Sequence, residues 1–197
     1  MLTSSGLISI TGRNAGSRSR RPVYYAGNYM LTDLVQIRLQ GEKKRPENER
    51  FRRFMKSHTH SDRVLRHMAE EIEERIDCTQ CANCCKVATV TITERDTERL
   101  ARYLRIPAAK FRAEYTVESA EEGRILRRTD ATGCTFLDGT TCTVYDARPD
   151  TCQRFPHIVR GSGSLASRMW QFTDRACYCP IVFNSLEAFK EKLGFPH

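Results

Sequence analysis

Cys78-Thr79-Gln80-Cys81-Ala82-Asn83-Cys84-Cys85 is the stretch on which the reading of this chain turns. Two residues between thiols form a tight turn that carries both sulfurs to one ion, at about 2.3 Å for zinc. Adjacent side chains diverge, so Cys84 and Cys85 reach different ions more easily than one. Downstream lie Cys134, Cys142, Cys152 and Cys179, each beside turn residues, and Cys177 makes nine cysteines in 197 residues. Eight thiols would complete two four-thiolate centres, while one centre plus reduced or redox-active spares is the other reading. That cysteine content is below the roughly 8–10% of a disulfide scaffold, and no secretory signal accompanies it. Thiolates suit zinc and iron–sulfur clusters alike. The opening C-x2-C-x2-C echoes the ferredoxin run, but that run continues x3-C-P, whereas here Cys85 follows at once and the Cys-Pro pair is Cys179-Pro180.

Working outward, Cys134-Thr-Phe-Leu-Asp138-Gly139-Thr-Thr-Cys142 reads as a hairpin. A three-residue loop Leu137-Asp138-Gly139, with Gly139 left-handed, would set Cys134 opposite Cys142 on one face. A two-residue Asp138-Gly139 turn would put them on opposite faces. Val87–Ile92 reads as a strand, followed by a helix capped by Thr93 with Asp96 in its third position, burying Leu100, Ala101, Tyr103 and Leu104. Pro107 opens a short helix with Phe111 and Tyr115 inward, and Arg124–Arg128 reads as a strand. Pro149 starts a short helix carrying Cys152, and Ser185–Leu193 a terminal helix closed by Gly194. Met169-Trp170-Gln171-Phe172 reads as core. Upstream, Phe51, Phe54, Met55 and then Leu65, Met68, Ile72, Ile76 have helical spacing, giving two helices or one kinked helix. The fold class expected is α+β: a small cysteine-rich, metal-centred domain with short strands and a hairpin, preceded by N-terminal helices and a disordered tail.

The domain division expected is 1–29 as a basic tail, 30–76 as the helical segment and 77–197 as the metal-binding domain. Residues 1–32 hold no Asp or Glu and four Arg, although the chain as a whole carries a net charge of +8. Met30 is a candidate for the true start. The mean hydropathy of −0.54 and the lack of any run near the roughly 18 apolar residues that span a bilayer predict no membrane segment. A basic tail without aromatic stacking partners supports only nonspecific phosphate attraction, so specific nucleic-acid binding is not expected. No Walker loop, G-x-G-x-x-G or Ser-His-Asp pattern is present. His58, His60 and His67 read as exposed or capping residues, and His157 could substitute for a cysteine ligand, although eight or nine thiols are already available for that role. Lys86, Arg148 and Arg154 lie near ligands in sequence and could offset thiolate charge. Arg148 is expected to contact Asp146.

Together, Cys78-x2-Cys81-x2-Cys84-Cys85, Cys134-x-Phe136-Leu137 and Cys142-x-Val144-Tyr145-x2-Arg148-Pro149-x2-Cys152-x2-Phe155-Pro156 resemble the YkgJ-type cysteine cluster family, the zinc- or iron-chelating CxxCxxCC domain. The resemblance spans about Cys78 to Cys179. It implies a bacterial, cytoplasmic protein whose metal ligands are Cys78, Cys81, Cys84, Cys85, Cys134, Cys142, Cys152 and Cys179, holding zinc or an iron–sulfur cluster. Family members are often described as iron–sulfur oxidoreductases, so a redox or group-transfer enzyme is one alternative, and a zinc-scaffolded interaction module another. No catalytic residue, substrate or protein partner is legible.

Overall fold

The computed structural model describes residues 30–129 and 132–196; the tail 1–29 and its expected disorder lie outside them. Three helices come first: α1 (Leu34–Lys43), α2 (Arg45–Ser57) and α3 (Asp62–Glu73). The cysteine run forms α4 (Cys78–Cys81) and α5 (Asn83–Val87), followed by α6 (Glu94–Leu104) and α7 (Ala108–Tyr115). Six short strands are next: β1 (Thr116–Ser119), β2 (Gly123–Leu126), β3 (Arg128–Thr129), β4 (Gly133–Cys134), β5 (Leu137–Asp138) and β6 (Thr141–Cys142). A 3-10 turn (Tyr145–Ala147), α8 (Asp150–Arg154), α9 (Leu165–Arg175) and α10 (Pro180–Lys192) complete the chain. The strands pair only as three antiparallel couples, β1 with β2, β3 with β4 and β5 with β6. The class is α+β, as the alternation of short helices and β-formers predicts.

Two apolar cores result. The first packs α1–α3 on α9 and α10 through Phe51, Met55, Leu65, Met68, Ile72, Phe172, Leu186 and Phe189, all at 1% exposure or less. Each of these side chains contributes roughly 1.5–3 kcal/mol by leaving water. Across the same interface Lys190, fully buried, donates to Glu47 (2.5 Å) and Glu187 (2.7 Å), tying α10 to α2. The second core gathers Ile92, Leu100, Phe111, Leu126, Phe136 and Val144. In it Tyr115, Phe111 and Phe136 stack on one another, Tyr115 at centroid distances of 5.4 and 5.2 Å from the two phenylalanines, which are 6.3 Å apart.

Several expectations are corrected. The cysteines are preceded by three helices, because Asp33 caps the chain at Gln36 N–H and starts α1 before the apolar periodicity becomes visible. Val87–Ile92 is not a full strand: Val87 ends α5, and only the second half pairs with β2, by the Thr91–Ile125 bridge and the bonds Ile92 N–H to Arg124 O (2.8 Å) and Leu126 N–H to Val90 O (2.9 Å). The terminal helix starts at Pro180, whose missing N–H costs nothing in a first turn. Tyr103 is 46% and Trp170 58% exposed, so neither is core. The hairpin loop is Gly139-Thr140, with Gly139 at φ 59°, and β5 pairs with β6 so that Leu137 faces Cys142. Cys134 pairs instead with Arg128, so the hairpin itself does not clamp Cys134 to Cys142.

Thr93 caps α6 as expected, and Asp96 completes the capping box. Burial pushes the Asp96 carboxyl up, but hydrogen bonds from Thr93 (2.6 Å from its hydroxyl) and from the Asp150 N–H (3.0 Å), together with the charge of Arg99, hold it below the ordinary range. Asp96→Asn is expected to cost about 1.5–3 kcal/mol, the range for hydrogen bonds to a charged group. A depressed carboxyl contributes its stability above the unfolded pKa of about 4 and loses it as pH falls through the folded value. Urea midpoints of wild type and variant should therefore differ at neutral pH and converge below about pH 4; a constant gap would show that the charge is irrelevant.

Candidate metal centre

Cys78 and Cys81 sit on α4, whose start is fixed by Asp77 accepting from Thr79 N–H at 2.8 Å. Ala82, at φ 47°, breaks the run and begins α5, which carries Cys84 and Cys85 on a separate turn. Asn83 Nδ2 donates to Tyr178 O at 2.7 Å and so fastens α5 to the residue just before Cys179. As a result Cys78, Cys81, Cys84 and Cys179 wall one small cavity of about 20 Å3, closed by Ile76, Phe155 and Tyr178. Desolvation raises Cys179 to about 12, with Cys78 and Cys81 adding to the rise. Cys78 is raised to about 11 by desolvation and then by Glu73, while Arg160 opposes the rise.

Cys85, Cys134, Cys142 and Cys152 gather on the other side of α5. Arg128 spans the gap, its guanidinium donating to Ala88 O and Lys86 O, both at 2.5 Å, while its backbone pairs with Cys134. Gly133 permits the approach: at φ +83°, a Cβ would lie 2.6 Å from Lys86 Cα and 2.7 Å from Cys85 O. Cys152 arrives on α8, held because Arg99 donates to Arg148 O at 2.7 Å and Asp96 accepts from Asp150 N–H. Desolvation raises Cys152 to about 12, with Cys134, Cys85 and Cys142 adding and Arg148 opposing. Desolvation also raises Cys134 and Cys142. Cys84 donates to Cys85, which drives Cys84 up and Cys85 down, and Arg148 and Arg128 lower Cys85 further. Burial of Cys85 opposes that fall.

Gly133→Ala is expected to force β4 off α5, because the clash is with backbone and the left-handed φ is itself costly. A loss of about 1–3 kcal/mol, the range for a strained backbone position, with a parallel fall in retained metal, should appear in thermal melts and elemental analysis. Wild-type values for both would refute the close approach.

The eight cysteines therefore occupy two neighbourhoods. Cys177 stands apart, its sulfur 3.2 Å from Arg45 Nη2 and 3.8 Å from Thr173 O. His157 Nε2 is engaged by Thr151 O at 2.9 Å. Arg154 pairs with Asp150, and Arg148 lies over the Tyr145 ring (3.5 Å) instead of meeting Asp146. Arg128 and Arg160 act on the thiols but gave no signal in the sequence, being 42 or more residues from the cysteines they influence in α4 and α5. Among the described residues no three His, Cys, Asp or Glu side chains already form a ligand shell, so binding an ion requires the thiols of either set to turn inward. The donor chemistry itself, thiols only, fits a soft thiophilic metal. A larger cavity of about 700 Å3 opens over the second set, between Cys85, Cys134, Cys142 and Cys152 on one side and α9 on the other.

Residues 77–180 match the CxxCxxCC family, described as "Putative zinc- or iron-chelating domain". An uncharacterized protein of Methanocaldococcus jannaschii, MJ0661, is 32% identical over 99 residues, which are 47% of this chain and 52% of the relative. The chain thus spans about half the length of that relative. No solved structure matches this chain. With more than half of its length matched by one family, and all eight motif cysteines inside that match, the chain belongs to the CxxCxxCC family.

Proposed function

We propose that this protein binds metal through two four-thiolate centres, the first formed by Cys78, Cys81, Cys84 and Cys179, the second by Cys85, Cys134, Cys142 and Cys152. The observation that carries this is the shared cavity wall of the first four, with the other four influencing one another across α5. Cys78 and Cys84 also border the larger cavity, but Cys179 touches only the smaller one, and with Cys81 it completes four donors there. Bound metal would tie the helical core, which contains Cys179, to the second core, which contains Cys134. Each four-thiolate set holding a zinc ion carries a charge of −2, which Arg148, Arg128 and Arg160 are placed to offset.

Two observations bear on the metal. Cys179-Pro180, distant in sequence, joins C-x2-C-x2-C in space and so completes an iron–sulfur type of donor pattern. The space those four thiols wall before they turn inward, about 20 Å3, is by contrast small for a cluster. Metal and acid-labile sulfide analysis of anaerobically purified protein decides. Iron with matching sulfide and a broad visible band would make the centres electron carriers or catalysts, whereas about two zinc per chain without colour would make them scaffolds. Protein that retains neither metal would refute the proposal.

A further inference from the structure

The large cavity is more than room for metal. At about 700 Å3 it falls within the size range of small-molecule sites, and its walls come from both cores. One wall is α9, where Trp170 and Asp174, and Gln171 and Arg175, follow helical i,i+4 spacing along the opening. The facing wall is apolar, built from Val90, Leu126, Phe136 and Val144. Trp170, Tyr145 and Val87, all substantially exposed, stand on its lining. Such exposed aromatics around a concave apolar surface mark a binding site more often than a solvated face.

The polar group that defines the chemistry is Arg175. Its Nη1 is buried and has no hydrogen-bond partner among the described residues. A buried guanidinium N–H left unpaired is costly, and because Nη1 has no exposed surface as the side chain stands, a ligand that offers an acceptor pairs with it once Arg175 turns toward the opening it borders. The metal centres are not the obvious recipient: Arg148, Arg128 and Arg160 are the guanidiniums that act on the thiols, whereas Arg175 acts on Tyr178 and His157 and lies 5.7 Å from the Phe155 ring. Of the two acids on the cavity, Asp174 faces Arg45 at 3.6 Å and Glu122 is exposed. Arg148 also borders the cavity, but its guanidinium lies over the Tyr145 ring and donates to Tyr145 O, so Arg175 is the bordering cation with an unpartnered N–H, and beside an acidic rim it suits a monoanion.

We propose that this cavity binds an amphiphilic monocarboxylate, its carboxylate on Arg175 and its apolar body between Trp170 and the Phe136 wall, next to the second thiolate set. This rests on the reading of the thiolate sets as metal centres, since the cavity floor is made of their ligands. Trp170 is the only tryptophan in the chain, so its emission reports the site directly.

The test is a titration of anaerobically purified, metal-loaded protein with octanoate, and with n-octanol as the uncharged analogue, following Trp170 emission. Octanoate is expected to give a saturable shift, and octanol to bind at least tenfold more weakly. Arg175→Gln should weaken octanoate about tenfold while leaving octanol and metal content unchanged, and Arg175→Lys, which keeps the cation, should retain more octanoate affinity than the Gln variant. Absence of a saturable octanoate response, equal binding of acid and alcohol, or loss of metal in Arg175→Gln would each overturn the proposal. Metal analysis of the same samples reads the underlying assignment separately: metal-free protein that still binds octanoate through Arg175 refutes only the metal centres, and metal-loaded protein blind to octanoate refutes only the carboxylate site.

Discussion

Chelation under reducing conditions is expected to abolish the cooperative melt of the second core while leaving much of the helical core folded. The second core rests on three separate two-stranded couples, two of them only two residues long per strand. Isolated two-stranded hairpins are marginal in water. Of its helices, α4, α5 and α8 have four or five residues and α7 eight, short of the dozen or so needed for a helix to persist alone, and only α6, with eleven, comes near it. Structural zinc in small domains supplies an apparent 10–16 kcal/mol of binding energy, as large as the whole stability of an ordinary domain. The first core needs no such help, because five longer helices bury Phe51, Phe172, Phe189 and their neighbours around the Lys190 ion pairs. After demetallation, near-ultraviolet signals from the Phe111, Tyr115 and Phe136 stack should vanish while most far-ultraviolet helical signal remains. A fully demetallated protein with an unchanged melt would show that the thiols are not part of what holds the fold.

The parts of this architecture that were legible in the sequence are those in which local chemistry has one solution. Thr93 with Asp96 is a capping box wherever it precedes an apolar periodicity, and it caps α6 here. Pro149 before Cys152 and Gly194 after α10 likewise stand where backbone geometry demands them. The misreadings arose where burial depends on a distant partner. Val87–Ile92 has the residues of a strand, but its first half is taken into α5 and the turn after it, and only Val90–Ile92 lies along β2, through hydrogen bonds with Arg124 and Leu126 on either side of the Thr91–Ile125 bridge. Trp170 lies between buried Met169 and Phe172 but on the next position around α9, which points to the cavity. The hairpin shifted by one position because Gly139, the left-handed residue, opens the loop with Thr140 and does not close it. In the site, the types and spacings of the cysteines were readable. Their division was hinted at only by the adjacency of Cys84 and Cys85; Arg128 and Arg160 were invisible as partners of Cys85 and Cys78 because nothing local ties a guanidinium to so distant a thiol, and Arg175 because no local pattern shows that its Nη1 lacks a partner.

Single cysteine substitutions are expected to fall into two groups that follow the sets and not the sequence order. Cys179→Ser should release the metal of the first centre and leave that of the second, and Cys152→Ser should do the reverse, each removing about one centre's worth of metal per chain. The sharpest comparison is between neighbours. Cys84 walls the small cavity with Cys179, whereas Cys85 is the thiol that Cys134, Cys142 and Cys152 all respond to. Cys84→Ser should therefore resemble Cys179→Ser, and Cys85→Ser should resemble Cys152→Ser, although the two residues are adjacent in the chain. Losing one ligand of a structural thiolate site leaves three thiolates and an open position, and second-centre variants should lose the larger share of stability because the weaker core depends on them. Cys177→Ser should keep both centres, since its sulfur faces Arg45 and Thr173. Elemental analysis paired with thermal melts on these five variants reads the division directly. Identical metal loss in Cys84→Ser and Cys85→Ser would mean a single shared centre, and metal loss in Cys177→Ser would place the ninth thiol among the ligands.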